Sequence, residues 1–509
     1  MTMRSSMRRI VSAVGAISLT VPLMVVSPAS VPAATSGYVG VTFGFDSGTL
    51  RGAPYDNQGN RIYNVPMFRP TGDLTVFWDN YVEQLVTAGV DFVAVNTRGY
   101  VPGSAAPSGS GDPRILGGLV AAINRRGVAG QLKIAAFDDT PASLTDKKNQ
   151  VKHHTGGYEP KFDLGDATGA GEGGYQYYWD YNLREFYRQV PDSVRFKLDG
   201  RPLVYEWSIG DFAFSNQGNG NASRLLQYVR SHAQSEFGFN PYIVVDQNWP
   251  QEDPTTVDNV DGVDNWFGVP GPGYTQNTFK NNKYGVAVPG FRFVSGSTNM
   301  VIDPRHGQTY AANLAATAGS GAKVTLIEGF TDWQENAAVM RTAEGGYDQR
   351  LTDYPNQMLN ITRRYSRTPF PSTLRIEAES ADSVFDTTST NTLGTYRDGS
   401  LDVERTPDSG GGWDVGATAA GEWLEWKELP IQGTVRLRAR VATPNTGATL
   451  RFLVDGRAGP TVTVPNTGNW QTYQTVDAGS FTLPTGSYHT VRVEFPNGNL
   501  NLNFWTASP

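Results

Sequence analysis

Short runs rich in β-branched and aromatic residues alternate with longer segments of helical period through the first two thirds of the chain. This alternation constrains the fold more than any other feature. The strand-like runs are Tyr38–Phe45, Phe92–Asn96, Lys133–Phe137, Leu203–Trp207, Tyr242–Asp246, Val263–Phe267, Val286–Phe293 and Val324–Glu328. Between them lie helix-like segments at Asp79–Ala88, Ile115–Arg125, Tyr177–Gln189, Ala222–Phe237 and Thr309–Ala318. That order predicts a parallel α/β fold, because parallel strands need crossover helices. Eight βα repeats over residues 38–366 fit a (β/α)8 TIM barrel. A doubly wound open sheet fits the same alternation, but the glycine-rich phosphate turn expected after its first strand is absent.

A change of texture marks a second domain. Arg367-Thr368-Pro369-Phe370-Pro371-Ser372 begins a polar, proline-bearing linker at 367–373. Beyond it helical period vanishes, and alternating runs separated by Gly, Asn and Asp turns predict an all-β sandwich of jelly-roll type over 374–509. At the other end, Arg4, Arg8 and Arg9 precede the apolar run Ile10–Val26 and a small-residue stretch ending Val31-Pro32-Ala33-Ala34. Residues 1–33 thus read as a secretory signal peptide, and the mature protein is expected to be secreted, extracellular and free of the membrane.

Composition closes off several chemistries. The chain has no cysteine, which removes thiol catalysis, disulfides and Cys-ligated metals. Asp plus Glu number 49 against 42 Lys plus Arg, for a formal charge of −7 and no basic tract past the leader, so nucleic acid is not an expected partner. GxSxG, HExxH and P-loop spacings are absent. The adjacent His153 and His154 read as an exposed loop pair, and His306 as a surface histidine.

Polar residues gather where the expected strands end: Asp46, Asn96 with Arg98, Asp138 with Asp139, Glu206, Asp246 with Asn248, Asp264 and Glu328. In a barrel these ends share the face where active sites form. Tyr100, Tyr205, Trp207, Trp249, Trp266, Phe330 and Trp333 accompany them. Carboxylates and flat rings together suit sugars, whose hydroxyls seek acceptors and whose apolar faces stack on aromatics. Asp138, Asp139, Tyr205, Trp207, Asp246, Asn248, Trp249, Asp264, Trp266 and Trp333 are therefore candidate substrate-binding residues. The densest acidic stretch is VTLIEGFTDWQENAAVM at Val324–Met340, with Glu328, Asp332 and Glu335. Glycoside hydrolysis needs two carboxyl groups flanking the scissile bond, one protonated. Asp332 with Glu335 supplies such a pair; Asp followed three residues on by Glu is also a helix capping box, and in that case Glu206 with Glu328 is the alternative pair.

Two resemblances sharpen these expectations. The C-terminal blocks IEAES at Ile376–Ser380, GGWDVGATAAGEWLEW at Gly411–Trp426, TGNWQTY at Thr467–Tyr473 and NLNFW at Asn501–Trp505 resemble carbohydrate-binding module family 6, with family 35 as its near relative. The resemblance implies sugar binding through Trp470 and Asn501, with Trp413 standing in for a second ring where Ala417 replaces the usual tyrosine. It also implies a structural calcium at Glu377, Glu379 and Asn503, the last in place of an aspartate. In the first domain, FTDWQEN resembles the strand-eight segment of glycoside hydrolase family 99 and, more loosely, family 71, and FKLDGRPLVYEW at Phe196–Trp207 resembles the turn before their fourth strand. The domain as a whole resembles an uncharacterised bacterial domain family of this barrel type. By that resemblance Glu335 is the acid/base and Asp332 its partner, although aspartate is a methylene shorter than the family's glutamate.

The function expected is a secreted glycoside hydrolase, monomeric, without a catalytic cofactor, acting on a polysaccharide to which the C-terminal module tethers it. A non-catalytic carbohydrate-binding protein with a degenerate barrel is the alternative.

Overall fold

The computed structural model describes residues 37–44, 65–69, 71–98, 111–141, 161–166, 174–295, 298–333, 335–342, 352–408 and 412–509. The expected leader, Asp46, Tyr100 and the His153-His154 pair lie outside these residues. No described helix is long and apolar enough to cross a membrane.

Eight parallel strands carry the first domain: β1 (Tyr38–Phe43), β2 (Phe92–Thr97), β3 (Lys133–Asp138), β4 (Arg201–Glu206), β5 (Tyr242–Asp246), β6 (Gly262–Asp264), β7 (Asn282–Ala287) and β8 (Val324–Ile327). They hydrogen-bond in the order β7-β8-β1-β2-β3-β4-β5-β6, the cyclic order of a barrel. Among the described residues no backbone ladder joins β6 to β7, so of the expected barrel the structure shows the strand order and not the closure. Between β6 and β7 stands Tyr274–Phe279, antiparallel to β7 and absent from the expected strands. It meets β6 through side chains, with Asn277 Nδ2 donating to the Val263 carbonyl at 2.9 Å. The domain is thus mixed α/β, its sheet mostly parallel and nearly barrel-like. The run expected as one strand at Val286–Phe293 is likewise two elements, the end of β7 and the first arm of a hairpin, Phe291–Ser295 with Thr298–Ile302.

Period-two alternation sorts the side chains into two layers. Phe92, Ala94, Ala135, Phe137, Leu203, Tyr205, Tyr242, Val244, Tyr284, Val324 and Leu326 fill the space inside the curled sheet. Their neighbours Val41, Val93, Val95, Ile134, Ala136, Val204, Ile243, Val245 and Ile327 face the helices. Gly40 belongs to the inner row because a Cβ there would stand 2.2 Å from the Phe92 ring.

Helix α1 (Leu74–Ala88) shows the local logic. The Asp73 side chain caps it by accepting from Thr75 N at 2.9 Å, and Gly89 ends it in the left-handed region at φ 67°. Phe77, Trp78, Tyr81, Val82 and Leu85 recur at helical spacing and are its buried face.

The C-terminal part is sheet-rich and jelly-roll-like, two antiparallel sheets packed face to face. One runs Val403–Arg405, Trp413–Val415, Asn501–Ser508, Gly433–Ala442, Gln474–Leu483, with Leu374–Glu377 also pairing Asn501–Ser508. The other runs Ser383–Phe385, Glu422–Leu429, His489–Gly498, Thr449–Val454, Arg457–Thr463. Trp426, Phe452 and Trp505 meet edge to face in the core between them.

The two parts are tightly joined. Met67 and Phe68, from the connection between β1 and α1, belong to the sandwich core. Phe68 stacks on Tyr396 at 4.7 Å, and Tyr396 on Trp413 at 4.0 Å. Beside this stack Arg341, 2% exposed, forms a two-pronged pair with Glu83 of α1 at 2.8 and 3.0 Å and bonds Asn356 at 2.6 Å. Asn356 in turn donates to Asp382 of the sandwich at 2.7 Å. Even the expected linker is packed: Arg367 lies over the Tyr38 ring, and Phe370 stacks on Tyr488.

Candidate functional site

The strand alternation decides which acids reach the inside of the sheet's C-terminal end. Thr42, Asp139, Asp246, Asp264 and Glu328 continue the inner rows of their strands, as do Trp207 and Trp266. Asp138 and Glu206 continue the outer rows with Ala136 and Val204 and face the helical layer. The alternative pair Glu206 with Glu328 is therefore divided between the two faces, and Asp138 stands away from the mouth.

Three acids cluster just past β8. Glu328 Oε2 accepts from the Thr42 hydroxyl at 2.9 Å, and that hydroxyl accepts from Gly329 N at 2.8 Å. Burial, then the charges of Asp332 and Asp139, push the Glu328 carboxyl up to about 8. Asp332 and Glu335 are hydrogen-bonded carboxyl to carboxyl, and Asp332 Oδ1 also accepts from Glu335 N at 3.3 Å. Burial and the Asp332 charge push Glu335 up to about 9, and burial raises Asp332 too. The capping-box geometry is half present, but no helix follows: the chain turns, with Ala337 N bonded to Asp332 O at 2.9 Å and Asn336 at φ 53°. The Phe291–Ser295 arm braces this turn through Arg292 N, which donates to the Glu335 carbonyl at 2.7 Å.

The facing wall comes from β3 to β6. Asp139 Oδ2 pairs with Arg98 Nη1 at 2.8 Å. Asp246 accepts from Asn248 N at 3.0 Å and Trp266 N at 2.8 Å. Burial raises the carboxyls of Asp246 and of its register partner Asp264, the latter strongly. The aromatic expectations divide. Trp207 and Trp266 are half-buried at the mouth with ring centres 6.1 Å apart, and Phe212, 58% exposed, extends the row at 6.3 Å from Trp207. Trp249 is wholly buried, its indole N–H bonded to the Trp207 carbonyl at 2.5 Å, while Trp333 and Tyr205 are core residues. Asn248 braces the Ser208 hydroxyl at 2.7 Å. Phe212 and Thr42 were missed by sequence reasoning; alternation along β1 was the available signal for Thr42.

In the sandwich, Trp470 is 38% exposed above a polar cluster. Asn501 Nδ2 donates to Glu404 Oε1 at 2.9 Å, Asp414 Oδ2 at 3.0 Å and the Trp470 carbonyl at 3.2 Å. Gln471 also reaches Glu404, and the Tyr473 hydroxyl donates to Asp414. Burial pushes Asp414 up to about 7, partly offset by the Tyr473 bond. Glu404, Asp414 and Tyr473 were not among the sequence candidates. Trp413 is not a free platform: Tyr396 covers one face, and the Arg405 guanidinium lies 5.8 Å from its ring centre.

Of the expected calcium ligands, Glu377 is committed to guanidiniums, Arg375 at 2.8 Å and Arg126 at 3.1 Å. Glu379 Oε2 and Asn503 Oδ1 are buried without hydrogen-bond partners. Among the described residues no group of three Asp, Glu or His side chains is arranged to hold a metal.

Comparison with known proteins matches two families in sequence along the chain, the first running past the 367–373 segment into the opening strands of the sandwich. The family described as "Domain of unknown function (DUF5010)" matches residues 35–383, and "Carbohydrate binding module (family 35)" matches 397–507. The clotting factor G alpha subunit of Tachypleus tridentatus is 33% identical over 114 residues, 21% of this chain and 15% of that protein. The beta-agarase AgaA of Microbulbifer thermotolerans is 37% identical over 94 residues, 18% of this chain and 19% of the agarase. The chain thus spans less than a fifth of either relative. Among solved structures, the module CBM6cm-2 from Cellvibrio mixtus lichenase 5A in complex with cellotriose is 29% identical, covering 27% of this chain and 96% of its own, with a TM-score of 0.22. A β-1,3-glucan binding CBM6 from Bacillus halodurans is 26% identical with the same coverages and TM-score.

Proposed function

The chain belongs to the DUF5010 family, and because that membership carries no activity, we propose from the site itself that the protein is a secreted glycoside hydrolase tethered to its polysaccharide by the C-terminal module. The observation that carries the reading is the acid cluster past β8, where burial and a carboxyl neighbour favour the protonated form of Glu335, while Asp139, ion-paired with Arg98, lies on the same inner side of the sheet and acts on Glu328. These are the two protonation states that glycosidic cleavage requires.

The geometry changes the assignment of the pair. Asp332 and Glu335 touch, whereas carboxyls flanking a glycosidic bond stand roughly 5 to 10 Å apart. Asp332 is thus the group that raises and orients Glu335, and Glu335 protonates the leaving oxygen. Asp139 acts from the opposite wall, with Glu328 between them, to stabilise positive charge at the sugar or to activate water. Trp207, Trp266 and Phe212 offer ring faces to successive sugar units. A closed barrel of the kind found in families 99 and 71 belongs to this reading, with Tyr274–Phe279 as the stave that fills the gap.

In the module, Trp470 offers the exposed ring, and Asn501, Glu404 and Gln471 the polar groups for sugar hydroxyls. The beta-agarase similarity over 18% of the chain supports a carbohydrate target. The calcium expected in the module falls to Glu379 and Asn503, whose unpartnered oxygens suit a hard cation that neutralises a buried carboxylate; it takes no part in the chemistry. Export through the leader at 1–33 and a monomeric state complete the proposal.

The direct contact of Asp332 with Glu335 also supports the second reading, a mouth that binds sugar without cleaving it. The test is reducing-sugar release from a panel of glucans, mannans, galactans and agarose by the wild type, Glu335→Gln and Asp139→Asn. Release abolished by both substitutions supports the hydrolase. Retention on one polysaccharide with no release by the wild type supports the binding protein.

A further inference from the structure

Behind the mouth, on the helix-facing side of the sheet, lies a second acidic site that the proposed hydrolysis does not use. Asp138 and Glu206 are register partners at the ends of β3 and β4 and share one face. Both are 1% exposed or less. Asp138 is well supplied with donors: Oδ1 accepts from Thr140 N at 2.9 Å and from the Thr140 hydroxyl, and Asn182 Nδ2 approaches both carboxyl oxygens at 3.3 Å. Glu206 has none, and both of its oxygens are buried without a partner. Tyr187 and Tyr178, whose buried hydroxyls are also without a hydrogen-bond partner, lie in the same helix-facing layer, near enough for the Glu206 charge to act on both.

Two ways of settling a buried acid pair can be compared. A shared proton would join the two carboxyls in direct hydrogen-bond contact and still leave the other Glu206 oxygen without any donor. A cation needs the opposite, a gap. Metal–oxygen bonds of about 2.4 Å separate two ligand oxygens by roughly 3 to 5 Å. The nearby arginine, Arg195, is turned away: its guanidinium stacks over the Tyr187, Phe237 and Phe239 rings and bonds the carbonyls of Tyr187 and Val190. Among the described residues the pocket therefore presents two carboxylates and neutral hydroxyls, with the Asn182 amide donating to Asp138 and no cationic side chain bonded to either acid. Burying two such charges uncompensated is costly, and a divalent ion neutralises both.

We propose that Asp138 and Glu206, with the Tyr187 hydroxyl, form a binding site for a hard divalent cation of the calcium type, wedged between β3, β4 and the helical segment Tyr178–Gln189. The site lies directly behind the mouth. Asp139 follows Asp138 in the chain, and Trp207 N donates to the Asp138 carbonyl at 3.2 Å. The ion thus fixes two residues of the sugar-binding wall without touching substrate. It holds whether the mouth cleaves sugar or only binds it.

The test uses the full chain, purified with calcium and desalted. Metal content per chain and terbium luminescence excited through tyrosine and tryptophan are measured for the wild type, Glu206→Gln, Tyr187→Phe and Glu379→Gln. Expected is one calcium lost in Glu206→Gln with at least a fivefold drop in terbium affinity, a smaller drop in Tyr187→Phe, and retention of this ion in Glu379→Gln, which reports on the sandwich. Wild-type protein that holds no calcium and takes up no terbium overturns the proposal whatever the variants do. So does Glu206→Gln with unchanged metal content. If Glu206→Gln does not accumulate folded, Tyr187→Phe decides, and terbium affinity equal to wild type there refutes the site.

Discussion

Replacing Arg341 by methionine tests how the two parts of the chain are held together. The guanidinium is 2% exposed, makes both bonds of a bidentate pair with Glu83, and reaches the sandwich through Asn356 and Asp382. Methionine keeps much of the volume and removes every guanidinium bond, so the main cost is a buried carboxylate at Glu83 left with only the Thr87 hydroxyl, added to the lost Asn356 bond. Breaking one side of such a pair costs about 3 to 5 kcal/mol. Adding Glu83→Gln removes the orphaned charge, and the double variant should recover about 1 to 3 kcal/mol of that loss. The assay is urea unfolding followed both by tryptophan fluorescence and by far-ultraviolet dichroism. The pH dependence supplies an independent check. Burial works to raise Glu83, but Arg341 wins and holds its carboxyl below the usual range. A lowered folded-state pKa means stability present above the unfolded value near 4.5 and lost as pH falls through the folded one. Arg341→Met should therefore cost most at pH 7 and little at pH 3. A loss under about 1 kcal/mol at pH 7, or a double variant no better than the single, refutes the reasoning.

Glu335→Gln has the opposite pH signature: its folded pKa is raised, so the wild type is destabilised as pH climbs from about 4.5 toward about 9, and the amide should melt higher than wild type at pH 9 but not at pH 4 by differential scanning fluorimetry. Trp470→Ala should weaken polysaccharide retention in affinity electrophoresis roughly fivefold, about 1 kcal/mol, with melting unchanged. Trp413→Ala should instead lower the melting temperature, because it strips the Phe68–Tyr396–Trp413 stack between the two parts. Gly40→Ala should destabilise by about 1 to 3 kcal/mol in urea unfolding by driving a methyl into the Phe92 ring.

Strand and helix alternation was legible because each parallel strand is buried on both faces and reads as a compact apolar run, as Phe92–Thr97 and Tyr242–Asp246 do. Tyr274–Phe279 was not, since YTQNTF is polar and only half-buried, and it owes its strand state to pairing with β7. The difference between Asp138 and Asp139 was available in principle: counting by twos from Phe137 sends one outward and the other inward. Treating strand ends as a single polar zone lost that information and grouped Glu206 with the mouth. Trp470 and Asn501 were legible in the module's sequence, but Glu404 and Asp414 come from a separate hairpin that only the tertiary fold brings under Asn501. The role of Met67 and Phe68 in the sandwich core had no local signal, because their partners lie about 330 residues away.

The central claim is that Asp332 holds Glu335 as the acid of a glycosidase. It is tested most directly by the pH dependence of kcat/KM for the wild type and Asp332→Asn on whichever polysaccharide is cleaved. Removing the Asp332 charge should move the alkaline limb of the profile to lower pH while activity persists at acid pH, since the charge that raises Glu335 is gone. An alkaline limb that stays in place in Asp332→Asn would contradict the account.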